Sequence, residues 1–516
     1  MFKKRKNKET NGNHDINDYS NQTKSYGLSN SLNANVKTLK DILSDDDTLI
    51  VRDIENQTNR KIRGSLLFFD GMVNNEIINE FVIQPLVNNT EIQKDSYTID
   101  DIKNKVLLTN DVEKTSDINK LTEAVYEGNA IFLVERFSEA LIVSSQGWQS
   151  RAIEEPETER VMRGPREGFT ESLSTNLTMV KRKLKTPDLK MKMRVLGKRS
   201  HTKICVCYIK GIANPKILNE LNKRLDNIEF DAILDSGYIQ EVIKDSPYTF
   251  FKTIGSTERP DIIAAKMLEG RIALFVDGSP VVLTVPHIFM EYFQSNDDYY
   301  INFYFSSFGR ILRIIGFIST ISIPALYVAL TTYHQEIIPT PLLYSISASR
   351  EGVPFPTIVE ATLMLLIFEL LREAGLRMPT FIGQAVSIVG ALVIGTAAVD
   401  AKLVSAPMVI VVAFTGITGL IIPRLKGAVI FLRVIFLVLG CFLGLFGYTF
   451  GVAGLLIHLF ELRSFGVPYM YKLMFLNPKE DLKDTVIRAP WWFLKYRPVL
   501  LTSNKRRNKT YWGTKH

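Results

Sequence analysis

Cysteine is scarce in this chain of 516 residues: Cys205, Cys207 and Cys441 are the only three. Cys205 and Cys207 alternate with Val206 in an apolar run, as in a buried strand, where neighbours at i and i+2 make poor disulfide partners. A disulfide-stapled secreted fold is excluded on that ground, and no Cys/His group has metal-ligand spacing. Histidine is nearly as rare. His14 and His516 fall near the chain ends, and His201, His287, His334 and His458 stand isolated, as structural histidines usually do. The chain has no phosphate-cradling GxxxxGK[ST] stretch and no GxSxG elbow. The expectation is a non-enzymatic protein with no cofactor, no metal and no catalytic residue. The first residues also lack an apolar signal-peptide core, which points to a reducing, cytoplasmic setting for the polar half.

Charge is sparse across much of the second half. Up to Asp298 the sequence is polar and mixed, whereas Ile311 to Leu462 is mostly apolar. Six apolar segments can be drawn, at 311–331, 357–374, 381–400, 404–423, 428–446 and 447–462. A helical span needs about 20 such residues. The last two share one run too long for a single straight span, with Gly444, Gly447 and Gly451 placed to turn it. Net charge is +8, concentrated at the two ends (Lys3, Lys4, Arg5, Lys6, Lys8; Lys505, Arg506, Arg507, Lys509, Lys515). Beside apolar spans, these clusters fit an anionic inner leaflet better than nucleic acid. With six crossings, Arg310, Arg313, Arg372, Arg377, Arg424, Lys426 and Arg463 fall on one side, and Arg350 and Lys402 on the other. The positive-inside rule then places both termini inside.

The polar half repeats itself. "SLLFFDGMVNNEIINE" from Ser65 and "CVCYIKGIANPKILNE" from Cys205 align at an offset of 140, pairing Gly71 with Gly211 and Asn74 with Asn214. "AVYEGNAIFLVE" from Ala124 and "KMLEGRIALFVD" from Lys266 align at an offset of 142. Each copy reads as an apolar strand, a Gly turn and a helix, and later as a helix ending at Gly before another strand. "DGSP" at Asp277–Pro280 reads as a hairpin turn. The predicted organisation is a disordered arm (1–38), an α/β subdomain (39–155), a connector with an amphipathic helix (156–194), and a second α/β subdomain (195–300). An all-α polytopic membrane domain of four to six helices (301–465) and a basic cytoplasmic tail (466–516) follow.

One apolar segment carries charge. Glu360, Glu369, Arg372, Glu373 and Arg377 lie in or beside 357–377, bounded by Pro354 and Pro356 before it and Gly375 and Pro379 after it. Charge in lipid costs about 2.5–3.5 kcal/mol per residue on insertion scales, so such a helix faces protein or water. At about 100° per residue, Glu360 and Glu369 fall on opposite faces. Thr362, Glu369 and Glu373 share one face, flanked by Leu365 and Leu366, and Thr362, Leu366, Glu369 and Glu373 are the candidate pore or gate residues. The alternative is that Glu369 pairs with Arg372 or with another helix and serves packing alone. In the next segment the small residues Gly383, Ser387, Gly390, Ala391 and Gly395 favour close helix contact. In the connector, Arg163, Arg166 and Glu167 are candidates for subunit contact, against local pairing in a solvated link.

Three long blocks are recognisable as they stand: "ERVMRGPREGFTESLSTNLTMVKRKLK" (Glu159–Lys185), "TIGSTERPD…LEGRIALFVDGSPVVLTVP" (Thr253–Pro286) and "GVPFP…E…FELLREAGLRMP…IGQAVSIVGALVIG". In this order they resemble the A subunit of the GerA-type spore germinant receptors, from about Leu66 to about Trp492. The resemblance implies a multi-pass subunit in the spore inner membrane. Its implied partners are a permease-like B subunit, a lipoprotein C subunit, membrane lipid and further copies of itself. It implies a response to nutrients by ion release, through an oligomeric ion path. The alternatives are a non-conducting, signal-transducing scaffold of the receptor and a secondary transporter. The visible repeat lies outside the apolar half, which argues against a transporter.

Overall fold

The computed structural model describes residues 27–57, 63–89, 97–109, 111–147, 155–156, 159–378, 395–473, 483–494, 496–498 and 500–503. By its contacts the chain divides into two units, one of 1–44 with 48–148, the other of 45–47 with 149–516.

The first unit opens with α1 (Leu32–Ile42) and the strands β1 (Leu49–Glu55) and β2 (Arg63–Phe69). A π-helical stretch, Ile77–Ile83, runs into α2 (Gln84–Asn88), and α3 (Ile99–Asp101) runs into a second one, Ile102–Val106. Then come β3 (Val112–Thr115), α4 (Ile118–Tyr126), β4 (Ala130–Val134) and β5 (Ala140–Val143). The second unit repeats this series as α5 (Leu173–Lys183), β6 (Leu189–Leu196), β7 (Thr202–Ile209), α6 (Pro215–Asp226), α7 (Ser236–Ile243), β8 (Gly255–Thr257), α8 (Pro260–Leu268), β9 (Ile272–Val276) and β10 (Val282–Val285). The sheet orders are β1-β2-β4-β5-β3 and β6-β7-β9-β10-β8, the same topology twice, and every pairing within them is antiparallel.

The duplicated glycines occupy equivalent turns. Gly71 and Gly211 follow β2 and β7 at φ 77° and 79°, a left-handed conformation that costs an L side chain energy. Both sheets are covered on both faces, so their central strands are apolar throughout rather than alternating. Leu66 and Phe68 enter one core and Leu67 and Phe69 the other. Ile204 and Val206 face one way, Cys205 and Cys207 the other. The two cysteines are free thiols, 3.6 Å apart.

Each copy begins earlier than the strand pattern alone indicated. α1 lies partly within 1–38, the stretch expected to be a disordered arm, and α5 and most of β6 lie within the expected connector. Buried Asn35 accepts from the Ser29 amide (2.8 Å) and donates to its carbonyl (2.6 Å); buried Asn176 treats Thr170 the same way (2.8 and 2.5 Å). α1 was hidden because it buries little besides Leu32, Asn35 and Leu39 in an Asn- and Ser-rich context. In α5, Lys181 belongs to no solvated basic end: it is buried against Asp46 at 2.9 Å.

The helical part of the second unit follows as α9 (Phe303–Thr332), α10 (Thr340–Ser349), α11 (Thr357–Arg377), α12 (Gly395–Asp400), α13 (Ala406–Leu420) and α14 (Lys426–Glu461). Two stretches, Phe303–Thr332 and Pro423–Glu461, are long and apolar enough to cross a membrane. The second is folded back on itself at Gly444, whose φ of 58° and ψ of −138° are not helical. The Phe436 and Tyr448 rings lie 5.6 Å apart, whereas a straight helix would separate those residues by about 18 Å. The run thus forms two arms of about 26 Å each, with the turn lying beside Tyr333 and His334 at the end of α9. α9 packs against both arms and against α13: Tyr448 Oη donates to Ser322 Oγ and Thr320 Oγ1 to Thr418 Oγ1, both at 2.9 Å. Of the small residues in the third apolar segment, Gly383, Ser387, Gly390 and Ala391 lie outside the described residues.

The segment expected as a basic cytoplasmic tail (466–516) packs in part against the second sheet. A short strand pair, β11 (Arg463–Ser464) and β12 (Val467–Pro468), leads back to the second sheet. Phe465, Val467, Tyr471 and Leu501 join the core of that sheet. The apolar side chains between the basic residues determine the path; the clusters at Lys3–Lys8 and Lys505–Lys515 are outside the described residues.

Candidate functional site

The proximal end of the helical part, where it meets the second sheet, is built on buried charge. Arg310, fully buried about two helical turns inside α9, donates to Asp298 (2.9 Å) and to Asp484 of the C-terminal segment (2.9 Å), and Arg313 adds a second cation to Asp298 at 2.7 Å. Burial alone would raise the Asp298 carboxyl, but Arg313 and Arg310 hold it below the ordinary range. Beside β9, Glu291 gathers Arg271 (2.7 Å), Lys266 (3.1 Å) and His287 Nδ1 (3.1 Å). Burial opposes ionisation of Glu291, yet these three groups bring it well below the usual carboxylate range. Burial lowers Lys266 and His287 from their ordinary values, against the pull of Glu291. Glu159 ties three elements together: it accepts from Thr257 Oγ1 (2.5 Å), from the Glu258 amide (3.2 Å) and from Arg424 after α13 (2.8 Å). Of these groups Glu159, Lys266, His287, Arg313 and Arg424 border a pocket of about 600 Å³ between the β8–α8 loop, the 159–161 stretch and the ends of α9 and α13.

The second constellation is α11. Glu360 in its first turn is completely buried, accepting from Arg350 (3.2 Å), the Ser405 amide (3.0 Å) and Ser405 Oγ (2.8 Å). Further along, Glu369 is gripped by Arg372 of its own helix and by Arg433 of α14, itself only 4% exposed in its side chain. Thr362 and Leu366 are exposed, and Glu373 is an exposed partner of Arg377 at 2.8 Å. Pro354 is exposed, and Pro356 caps the start of α11.

In the 159–167 stretch, Arg163 and Arg166 are exposed. The Arg163 amide donates to Asp297 at 3.4 Å. Glu167 pairs with Lys183 at 2.8 Å and lies 3.9 Å from Arg182, which is local pairing onto α5.

The family described as "Bacillus/Clostridium GerA spore germination protein" matches residues 37–500. The chain belongs to this family. Spore germination protein KA of Bacillus subtilis (strain 168) is 43% identical over 473 residues, covering 91% of this chain and 87% of that protein. Spore germination protein B1 of the same organism is 36% identical over 474 residues, covering 92% and 97%. Among solved structures, the N-terminal domain of the A subunit of the Bacillus megaterium spore germinant receptor GerK3 is 32% identical, with a TM-score of 0.39, over 51% of this chain and 98% of that one.

In this GerA-family chain two of the blocks that carried the resemblance meet physically: Glu159 from the first and Thr257 from the second form one hydrogen-bonded unit with Arg424, which follows α13. Sequence reading missed Arg433, the Glu291 cluster and the role of Asp484. Arg433 had a signal, a lone cation inside "AVIFLRVIFLVLG"; of the Glu291 partners only His287 is local, while Arg271, Lys266 and the partners of Asp484 lie elsewhere in the chain.

Proposed function

We propose that this chain is the A-type membrane subunit of a nutrient germinant receptor that triggers spore germination. It acts without catalysis, in company with a permease-like B subunit and a lipoprotein C subunit. In this reading α9, α11, the 381–400 segment, α13 and the two arms of α14 make six crossings of the spore inner membrane with both termini cytoplasmic, and several copies surround an ion path opened on nutrient sensing. The observation that carries it is the two-sided character of α11. Glu360 on one face is fixed to Arg350 and Ser405, and on the opposite face Glu369 is fixed to Arg433 at the edge of the stripe. The rest of that stripe, Thr362, Leu366 and Glu373, is exposed, a surface that needs a second copy or water. Carboxylates gathered around an axis favour cations. Conductance of the purified protein in planar bilayers tests this: cation-selective current is expected, increased at rest by Leu366→Ala, and its complete absence across lipid compositions refutes the path.

A second reading has its own support. Because Glu369 already has two arginine partners, α11 serves equally as a rigid element of a non-conducting scaffold that passes a signal between subunits. Lowered abundance of the Glu369→Gln protein, with ion release in proportion to the receptor that remains, together with silent bilayers, is the pattern for that reading.

A further inference from the structure

The pocket at the junction has walls of uneven charge. Six cationic side chains reach it, Arg160, Lys252, Arg259, Lys266, Arg313 and Arg424, against two carboxylates, Glu159 and Glu258. Four of the cations are paired: Arg424 with Glu159, Arg259 with Asp261, Lys266 with Glu291 and Arg313 with Asp298. Three of those partners, Asp261, Glu291 and Asp298, are not on the wall. The pairs are therefore oriented with their cationic ends toward the cavity, and a guest inside meets positive groups first.

The remaining two, Arg160 and Lys252, are exposed at the mouth and have no ion-pair partner among the described residues. Neutral donors complete the lining: Ser256 beside Gly255, where an added Cβ would stand 3.0 Å from both the Lys266 ammonium and the His287 ring. Guanidinium, ammonium and hydroxyl donors converging on a solvent-connected cavity of this volume suit a phosphate group. The pocket is also bordered by Ile421, and Leu420 and Ile417 of α13 are exposed next to it, an apolar track leading from the mouth along the helix.

We propose that this pocket binds a phosphate-bearing ligand, held at its mouth by Arg160 and Lys252 and at its floor by Ser256 and Lys266. The phosphate comes either from the headgroup of an anionic phospholipid, with its chain along α13, or from a free phosphate compound. This goes beyond the receptor reading: only the lipid source depends on membrane placement, and capture of free phosphate leaves that placement untouched.

The test uses the purified full-length protein in detergent. Retention of phosphatidylglycerol is measured by native mass spectrometry against phosphatidylcholine, and inorganic phosphate is titrated in a parallel melting assay at constant ionic strength. Selective retention of phosphatidylglycerol with no response to phosphate assigns the headgroup; stabilisation by phosphate assigns the free ligand. In either case Arg160→Gln/Lys252→Gln lowers the apparent affinity on the order of tenfold. Lys198→Gln/Arg199→Gln, which removes two exposed cations elsewhere, leaves it unchanged. Both replaced pairs are exposed, so folding is preserved. Neither ligand binding, or equal losses in the two double variants, overturns the proposal.

Discussion

Glu369→Gln is the most informative single change. Glu369 accepts from both Arg372 and Arg433, and Arg433 is the more enclosed partner, with 4% of its side chain exposed against 20% for Arg372. Neutralising the carboxylate leaves Arg372 able to reach the helix surface, with its guanidinium 5.9 Å from the Phe368 ring. It leaves Arg433 as a buried guanidinium with no other carboxylate in ion-pair contact among the described residues. Removing one partner of a buried pair costs about 3–5 kcal/mol, mostly the stranded charge. Against a typical stability of about 5–15 kcal/mol, that loss reduces steady-state abundance several-fold. Adding Arg433→Gln removes the stranded charge, so the double variant should recover most of the lost abundance, while Arg433→Gln alone resembles Glu369→Gln. Immunoblots of the membrane fraction, read beside ion release on germination, check both. Normal abundance of the Glu369→Gln protein would refute the structural argument. A defect in ion release at that normal abundance would move Glu369 from packing into the conduction mechanism.

Three further outcomes are expected. Because the folded His287 has its pKa lowered by burial, the unfolded chain binds more protons below about pH 6.5. The stabilisation is complete above that pH and lost as pH falls toward the folded value, by at most about 1.4 kcal/mol per pH unit; His287→Gln should flatten the melting temperature between pH 6.5 and 5. Gly71→Ala and Gly211→Ala should each destabilise by about 1–2 kcal/mol through strain at positive φ, visible as lowered melting temperatures, and equal melting of wild type and variant would place these turns elsewhere. Single cysteines at Lys402 and Lys426 should label from opposite sides of the membrane, Lys402 without permeabilisation; labelling of Lys426 from outside would break the proposed six-crossing arrangement.

The duplication was legible because its signals are local. An apolar strand, a glycine at positive φ and a capping Asn leave the same marks wherever they occur, so Gly71/Gly211 and Asn74/Asn214 could be paired by offset alone. The first helix of the first copy was not legible for the same reason, and that of the second was read as a helix but assigned to the connector. What makes α1 and α5 equivalent is one buried amide closing a ring on the backbone six residues earlier, and Asn in a polar stretch reads as loop. The turn within the long apolar run was readable from its glycines, since reversing a helix needs a residue such as Gly444 that tolerates a non-helical backbone.

Charged sites divide by the separation of their partners. Glu373 and Arg377, and Glu369 and Arg372, lie three or four residues apart on one helix, so their pairing follows from helical geometry. Glu369 with Arg433, Arg310 with Asp484 and Glu159 with Arg424 are joined only by the fold. Helical periodicity assigns such residues to a face without saying what that face meets. It placed Thr362, Leu366, Glu369 and Glu373 together, but their contacts differ. Thr362, Leu366 and Glu373 are exposed, whereas Glu369, at the edge of the same stripe, is within reach of α14. A helix 10–12 Å across lets residues about 20° apart on its wheel have different neighbours when the adjacent helix packs against one end alone. Any movement that opened the exposed face to an axis would therefore have to carry Glu369 away from Arg433 or bring Arg433 with it. That choice is a physical constraint on how α11 can gate.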